Sequence, residues 1–332
     1  MRQILLISLA IVLLGVLAFG AWTVREYRAF LDRPLLEQGE ARLWLPAGGS
    51  LASAVRDLER LGLTRADWRW RLLGRQRAAD LAAGEYAIES GMTPTAWLDR
   101  LVEGEIVRHR FTIIEGWTTT ELRAALRRDS RLAREAADLD DQSLMSRLGC
   151  DCPPEGRFLP ETYFFQRGDS DLDLLERARA ALDDALAAAW LDRRDALPLD
   201  TPDELLVLAS LVEKEARVAA ERARVAGVFV RRLERGMRLQ TDPTVVYGLG
   251  PEFDGRIRRI HLRTDHPWNT YTRHGLPPTP IALPGRAALQ AAAQPADGDA
   301  LYFVARGDGT HQFSATLAEH NRAVNRYIRG RN

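Results

Sequence analysis

The chain contains a single lysine, Lys214, which lies between Glu213 and Glu215. Every other Lys or Arg position is arginine, so the need for a surface cation does not explain the lysine. The three charges follow an almost wholly apolar run, residues 205–212. A carboxyl group bordered by apolar neighbours has a raised pKa, as a general acid working near neutral pH requires. The cluster indicates either an acid/base group at the mouth of a cleft or a solvated helix end.

The helix that carries this cluster begins at a clear signal. Residues 201–204, Thr-Pro-Asp-Glu, form a capping box with proline in the first turn. At about 100° per residue, Glu213 and Glu215 lie on opposite sides of the apolar stripe and point away from each other. They are therefore not the facing carboxylates of a two-acid glycosidase, and spacing does not decide which one is the acid. The stripe consists of Leu205, Leu208, Ala209, Val212 and Ala216.

The N-terminal segment predicts a membrane anchor. Residues 4–24 are apolar and uncharged, close to the ~20 residues that cross a bilayer as a helix. The competing interpretation is a cleaved signal peptide, whose apolar region is usually only ~7–15 residues long, and no Ala-x-Ala exit follows. Arginines flank both ends of the segment, so charge alone does not fix the orientation of the chain.

Charge and cysteine content exclude several classes of site. Lys plus Arg and Asp plus Glu both number 46, without a polybasic block, so no nucleic-acid partner is expected. Cys150 and Cys152 cannot build a tetrahedral zinc site alone, and no His pair lies near them. They are either bonded to each other or two inert thiols. We expect no metal and no cofactor.

The region after the anchor indicates small α+β modules. Ser50, Thr93 and Thr118 each follow a glycine and precede apolar residues at helical spacing, which predicts helix N-caps. Short strands are predicted at residues 42–45, 84–88 and 109–114. Such modules suit polymer binding, or form a spacer with its own core. Further predictions are helices at 129–149, 172–191, 219–235 (with its arginines on a solvated face) and 316–328, and a strand at 300–305.

Candidate substrate-binding side chains follow the glutamate helix. An Asp-Pro pair predicts a turn near residue 242. Residues 268–272, Trp-Asn-Thr-Tyr-Thr, carry an amide, hydroxyls and aromatics suited to sugars and lead into a proline-rich loop at 275–284. The alternative is a loop with a structural role alone. The candidates are Gln240, Thr241, Asp242, Tyr247, Asn269 and Tyr271.

The chain contains several long motifs in a fixed order. They are EGRFLPETY at 155–163, LASLVEKE at 208–215, GMRLQTDPTVVYG at 236–248, NTYT at 269–272, GLPP at 275–278 and LYFV at 301–304. In order and spacing, from about residue 40 to the end, they resemble the YceG/MltG family, the endolytic murein transglycosylases. The main departure is Pro-Ile-Ala-Leu-Pro at 280–284, which alters no ionisable group.

The resemblance implies an α+β protein in three parts. They are a transmembrane anchor at 1–25, a LysM-like α+β module at 40–106, and a mixed helical and strand catalytic domain at 107–332 with a lysozyme-like glutamate helix. It also implies a single-pass protein of the inner (cytoplasmic) membrane with its catalytic bulk in the periplasm. Peptidoglycan glycan strands are the implied partner, the membrane is contacted through residues 4–24, and cell wall synthases are further candidates.

The resemblance also implies a reaction, in cell wall assembly or glycan strand termination. Glu213 becomes the catalytic residue, with Ser210, Lys214 and Glu215 as supporting residues and the six candidate side chains along the glycan cleft. As general acid and then base, Glu213 would cleave the MurNAc-GlcNAc β-1,4 bond and leave a 1,6-anhydroMurNAc end. The alternatives are a muramidase-type hydrolase with Asp242 as second carboxylate, and a non-catalytic glycan-binding envelope scaffold.

Overall fold

The computed structural model describes residues 2–77 and 81–331 and divides into two compact units, Met1–His109 and Arg110–Asn332. The elements of the first unit are α1 (Arg2–Asp32), β1 (Glu40–Leu45), α2 (Leu51–Arg60), α3 (Trp68–Arg77), β2 (Gly84–Glu89) and α4 (Pro94–Glu103). From His109 onward follow β3 (His109–Thr112), α5 (Thr119–Arg128), α6 (Asp141–Arg147), β4 (Thr162–Phe165), α7 (Asp171–Leu191), α8 (Pro202–Glu215), α9 (Arg222–Glu234), α10 (Asp242–Leu249), α11 (Arg259–Arg263), α12 (Arg286–Ala293), β5 (Tyr302–Ala305), β6 (His311–Ser314) and α13 (Leu317–Tyr327).

Helix α1 is compatible with the predicted anchor. Within the described residues it is the one helix, over Leu6–Asp32, that is long and apolar enough to cross a membrane. Between residues 4 and 24, every large apolar side chain that the structure describes is exposed, which suits a lipid environment better than water. The C-terminal end of α1 belongs to the first unit, because Phe30 packs edge-on against Trp70 at a centroid distance of 5.2 Å.

The first unit is built around an antiparallel pair of strands. β1 pairs with β2, with Glu40 opposite Glu89 and Leu45 opposite Gly84. The predicted caps Ser50 and Thr93 are confirmed, since each side chain accepts a backbone N–H of the first turn of α2 or α4. The core combines inward-facing strand residues with the buried faces of α2, α3 and α4, and its largest side chains include Tyr86, Trp70 and Trp97.

Helix α8 lies in the centre of the second unit. Residues 205–212 are all buried, and α7, α9 and α12 pack around the helix. The Thr201 side chain accepts the N–H of Glu204, as the predicted N-cap requires. The predicted capping box is only half formed, because the Glu204 carboxylate accepts the N–H of Asp200 instead of that of Thr201. A largely buried α8 is therefore confirmed, and its two ends, residues 202–204 and the final turn with Glu213, Lys214 and Glu215, extend beyond the fully buried part.

Two local predictions are wrong. In 129–149 only Asp141–Arg147 is helical, because the buried Asp171 carboxylate accepts the backbone N–H groups of residues 135, 136 and 137. Those donors would otherwise serve an α-helix. The Asp-Pro pair at 242 begins α10 rather than a turn, since proline is well tolerated in a first helical turn.

The arginines of α9 also differ from expectation. The side chain of Arg232 is buried, and it donates to the carbonyls of Leu301 and Leu239 at 2.7 Å each. Arg231 donates to the carbonyls of Ala300 and Ala296. The prediction of a solvated face is therefore wrong for these two, because they satisfy backbone carbonyls that burial would leave unpaired. Gly236 has a φ of 61° just after this helix, as predicted for its C-terminal stop.

Candidate active site

Glu213 lies at the last turn of α8, and its two oxygens have different surroundings. Oε2 accepts the backbone N–H of Gly285 at 3.0 Å, and Oε1 lies 3.7 Å from Nη2 of Arg222. The side chain is only 6% exposed. Burial raises the pKa of Glu213 and the negative charge of Glu115 adds to this, whereas the Gly285 N–H, Arg222 and Lys214 act in the opposite direction. The net result is a raised pKa, as a general acid requires.

The N–H that Glu213 receives is held in place by a buried segment without regular secondary structure, residues 280–285. Residues 280–285 are all buried, so the predicted sugar-recognition role of this loop is not available to the side chains of residues 281–283. Their backbone is used instead. Leu283 donates its N–H to Trp117 and accepts that of Gly116, at 2.7 and 2.9 Å. Gly285 then forms the N-cap position of α12.

Ser210 joins α8 to the same segment. Its hydroxyl accepts the N–H of Ile281 at 3.1 Å and donates to the carbonyl of Val207 at 2.7 Å. Both hydrogen-bonding functions of this fully buried side chain are therefore satisfied inside the protein. Ser210 aligns that segment along α8, one turn before Glu213.

Lys214 is exposed and turns toward the loop before α5. Its Nζ donates to the carbonyl of Gly116 at 3.1 Å. A Cβ at Gly116, which has a φ of 77°, would lie 3.9 Å from both the Glu213 and the Lys214 side chains. The lysine therefore closes one side of the site through a backbone contact.

Glu215 faces a different part of the molecule. Its Oε1 accepts the hydroxyl proton of Thr241. Burial raises the pKa of Glu215, and although the Thr241 hydrogen bond lowers it and Asp242 raises it again, the net shift is upward. Asp242 in turn accepts the hydroxyl of Tyr271 at 2.6 Å, and burial together with this bond raises the pKa of Tyr271. Thr241, Asp242 and Tyr271 therefore form one group around Glu215.

The remaining candidates have partners of their own. Asn269 donates both amide protons to the carbonyls of His261 and Thr264 and accepts the N–H of Tyr271, so its amide organises the loop. Gln240 has a φ of 49°, an exposed side chain and a backbone N–H bonded to Thr270. In the described part of the chain, the hydrogen bonds of these two residues do not involve Glu213.

Tyr247 contacts a third buried carboxyl, Glu155. The tyrosine hydroxyl donates to Glu155 Oε2 at 3.2 Å, and the N–H of Thr119 donates to Oε1 at 3.0 Å. Burial is the main reason that the pKa of Glu155 is raised to about 7. The ring of Tyr247 packs on Trp268, whose Nε1–H donates to Thr279. Glu155 thus links α5 to α10, and Tyr247 continues through Trp268 to the proline-rich loop.

A cavity of about 510 Å³ lies beside α10, and Glu213 does not line it. Asn269 is the one candidate binding residue in its wall. The lining residues are Thr244, Val245, Gly248, Leu249, Pro251, Glu252, His261, Thr264, His266 and Asn269.

Comparison with known proteins matches the chain to the YceG-like family over residues 43–326. The chain belongs to the YceG-like family. The chain is 30% identical over 307 residues to the endolytic murein transglycosylase of Bacillus subtilis (strain 168), covering 87% of this chain and 85% of that one. The endolytic murein transglycosylase of Streptococcus pneumoniae serotype 2 (strain D39 / NCTC 7466) is 27% identical, covering 86% of this chain and 58% of that protein.

A solved structure has the same fold. The crystal structure of a yceG-like protein from Listeria monocytogenes aligns with a TM-score of 0.58 at 29% identity. The alignment covers 85% of this YceG-like chain and 98% of the other.

Three groups beside Glu213 were not expected from the sequence. Glu115 and Gly285 were absent from the candidates, although a Glu-Gly pair just before the predicted cap Thr118 is a usable signal for a side chain at a helix entrance. Arg222 carried no such signal, because it is one of many arginines in its helix. Its role follows only from packing α9 against α8.

Proposed function

We propose that the chain is a peptidoglycan lytic transglycosylase in which Glu213 acts as general acid and then as general base. The observation that carries the proposal is the environment of the Glu213 carboxyl. The side chain is nearly buried, its pKa is raised, and its Oε2 accepts a backbone N–H. Its Oε1 lies near Arg222 and accepts no backbone N–H in the described residues. The substrate is the MurNAc-GlcNAc β-1,4 bond, and the product carries a 1,6-anhydroMurNAc end.

The chemistry requires one carboxyl group. Oε2 of Glu213 accepts from Gly285, so we assign the acid proton to Oε1. Oε1 gives this proton to the glycosidic oxygen as the bond to C1 breaks. The resulting carboxylate takes the proton of the sugar's own 6-hydroxyl, whose oxygen attacks C1 and closes the anhydro ring. The attack is intramolecular, so neither water nor a second carboxylate nucleophile is consumed.

The family membership and the names of the relatives support this reaction class. Both curated relatives described above are named endolytic murein transglycosylase. The endolytic position of cleavage, within a strand rather than at its end, is part of the proposal for this chain.

The hydrolase alternative has less support in the site. Asp242, its second carboxylate, is bonded to Tyr271 and belongs to the group around Glu215. The acid that shares a partner with Glu213 is Glu115, through Arg222. A hydrolase would therefore have to use a carboxylate different from the one the sequence suggested.

Substrate positioning is divided among the candidate side chains as follows. Gln240, with an exposed side chain, is the proposed donor to the N-acetyl group. Asn269 shapes its loop, because its amide protons are already used. Tyr247 and Thr241 hold the buried carboxyls Glu155 and Glu215.

We also propose that the first unit is a LysM-like glycan-binding module anchored in the inner membrane through residues 4–24, with both units in the periplasm. The capped helices around an antiparallel strand pair and the exposed apolar surface of α1 support this arrangement. Protease added to spheroplasts is expected to digest the chain beyond residue 32. Full protection in intact spheroplasts would contradict the orientation.

The reaction is tested by mass spectrometry of glycan strands treated with the full chain in detergent. New anhydromuramyl ends are expected with the wild type and only a small residual amount with Glu213→Gln. Reducing ends would indicate a hydrolase, and unchanged strands with both proteins would favour the non-catalytic scaffold.

A further inference from the structure

A second carboxylate, that of Glu115, shares one guanidinium nitrogen with Glu213. Nη2 of Arg222 lies 3.4 Å from Glu115 Oε2 and 3.7 Å from Glu213 Oε1. We propose that Glu115 and Arg222 are positioning residues that decide when Glu213 holds its proton, with Glu115 keeping Arg222 from forming a closed ion pair with Glu213. This inference rests on the proposed function and assigns two further residues to the same site.

Gly285 fixes the spacing of the two carboxylates. Its N–H donates to Glu213 Oε2, while the side chain of Glu115 lies directly over its α-carbon. A Cβ at this position would overlap Oε1 of Glu115. The absence of a side chain at Gly285 therefore leaves the space that the Glu115 carboxylate occupies, while the N–H of the same residue bonds Glu213.

The charges that face Glu213 come from three elements. Glu115 precedes α5, Arg222 begins α9, and Lys214 is the neighbour of Glu213 on α8; α12 contributes only the neutral N–H of Gly285. Lys214 is bonded to the carbonyl of Gly116. Arg222 is therefore the cation available to shift between carboxylates, and its side chain is only 16% exposed, so water screens it weakly.

The geometry suits both halves of the reaction. While Glu213 is protonated it is neutral, and Arg222 is within hydrogen-bonding distance of Glu115 but not of Glu213. Once Oε1 has given its proton to the glycosidic oxygen, a small movement of Arg222 brings the guanidinium onto the new carboxylate. When that carboxylate takes the 6-hydroxyl proton, Arg222 returns to Glu115. In these steps the proton that leaves and returns is that of Glu213.

Two substitutions should move the titration of Glu213 in opposite directions. Glu115→Gln removes a negative neighbour and frees Arg222 to pair with Glu213, which favours the carboxylate and lowers its pKa. Arg222→Met removes a cation and raises the pKa. Because the acid step needs protonated Glu213, the alkaline limb of turnover should move to lower pH in Glu115→Gln and to higher pH in Arg222→Met.

The experiment combines that pH profile with a readout that needs no substrate. The full chain in detergent is labelled with glutamate carrying ¹³C at the side-chain carboxyl, and its Glu213 signal is assigned by its loss in Glu213→Gln. Its titration is then followed by NMR in Glu115→Gln, Arg222→Met, the double variant and an exposed control, Glu176→Gln. Gly285→Ala, which must displace Glu115, serves as a second route to the same change.

We expect the Glu213 titration to move in opposite directions in Glu115→Gln and Arg222→Met. The effect of Glu115→Gln should be smaller when Arg222 is already absent, and Glu176→Gln should leave the titration unchanged. Gly285→Ala should shift in the same direction as Glu115→Gln. Equal titrations in wild type and Glu115→Gln, or shifts of the same sign in both single variants, would overturn the inference. If the titrations shift as expected but the wild type leaves glycan strands intact, the proposed function fails while the control of Glu213 protonation stands.

Discussion

Glu213 and Glu215 are two residues apart on one helix, both have raised pKa values, and yet their surroundings differ in kind. Glu213 is approached by the charged side chains of Glu115, Arg222 and Lys214 and by one backbone N–H. Glu215 accepts the neutral hydroxyl of Thr241, and Asp242 and His311 are its titratable neighbours. Burial alone therefore does not distinguish an acid catalyst from a structural acid. Glu213 differs in having the guanidinium of Arg222 3.7 Å from one oxygen and the N–H of Gly285 bonded to the other.

The largest expected difference is in turnover. Glu213→Gln removes the proton that leaves and returns, so release of anhydromuramyl ends should fall by roughly 10²–10⁴-fold, the usual contribution of general acid–base catalysis. Glu215→Gln keeps an acceptor for Thr241 and is close in shape to a protonated glutamate, so most activity should remain. The two variants are compared by initial rates on the same glycan preparation. A greater loss in Glu215→Gln would reverse our assignment of the two carboxyls.

A third buried carboxyl, Glu155, tests how burial alone changes the pH dependence of stability, because the groups bonded to it are neutral. Its pKa is about 7 in the folded chain against 4.5 for the free side chain, so the folded state holds a proton that the unfolded state loses. As pH rises from about 4.5 to 7, the free energy of unfolding should fall by about 3 kcal/mol from this group. Glu155→Gln should remove that part of the decline, and exposed Glu176→Gln should not. Denaturant unfolding followed by tryptophan fluorescence at several pH values measures the difference; parallel curves for all three proteins would refute it.

The Thr241 hydroxyl tests the structural role of the Glu215 side. Thr241→Val keeps the shape of the side chain but removes the hydrogen bond to a buried carboxyl, at a cost of about 1–3 kcal/mol in unfolding free energy. Thr264→Val is a suitable control, because its exposed hydroxyl bonds only the carbonyl of Ile260. The product of the reaction should remain anhydromuramyl in both. Unchanged stability in Thr241→Val would mean that Glu215 finds another partner at no cost.

The smallest effect is expected at the only lysine. Lys214→Met removes an exposed contact to Gly116 and a cation that lowers the pKa of Glu213, so stability should change by less than about 1 kcal/mol. The alkaline limb of turnover should move slightly to higher pH. Lys214→Arg keeps the charge and should leave the limb in place. A large loss of activity in Lys214→Arg would assign the lysine a direct role in the reaction.

Local signals predicted most elements of the chain. The caps at Ser50, Thr93 and Thr118, the start of α8 at Thr201 and its burial all follow from residue spacing, because a helix cap and an apolar stripe depend on neighbours within a few positions. The prediction of a helix over 129–149 is wrong because the structure of this region depends on a contact that is distant in sequence. Its backbone donors are satisfied by Asp171, a residue distant in sequence.

Predictions about the site were less complete. The candidate binding residues are polar and aromatic side chains of two family motifs that follow the glutamate helix, and the structure places three of them around Glu215 and one, Tyr247, against Glu155. Sequence proximity could not separate these groups, because side chains one or two positions apart on a helix or loop point in different directions.

By itself the sequence determined that a buried helix ends in two carboxyls flanking the only lysine, since periodicity and capping are local properties. Only the tertiary structure decided how those carboxyls differ. The N–H of Gly285, the guanidinium of Arg222 and the carboxylate of Glu115 reach Glu213 from segments 72, 9 and 98 positions away along the chain. The physical reason is that a buried charge responds to whatever donors and charges packing brings within a few ångströms, and the spacing of residues along one helix does not specify them.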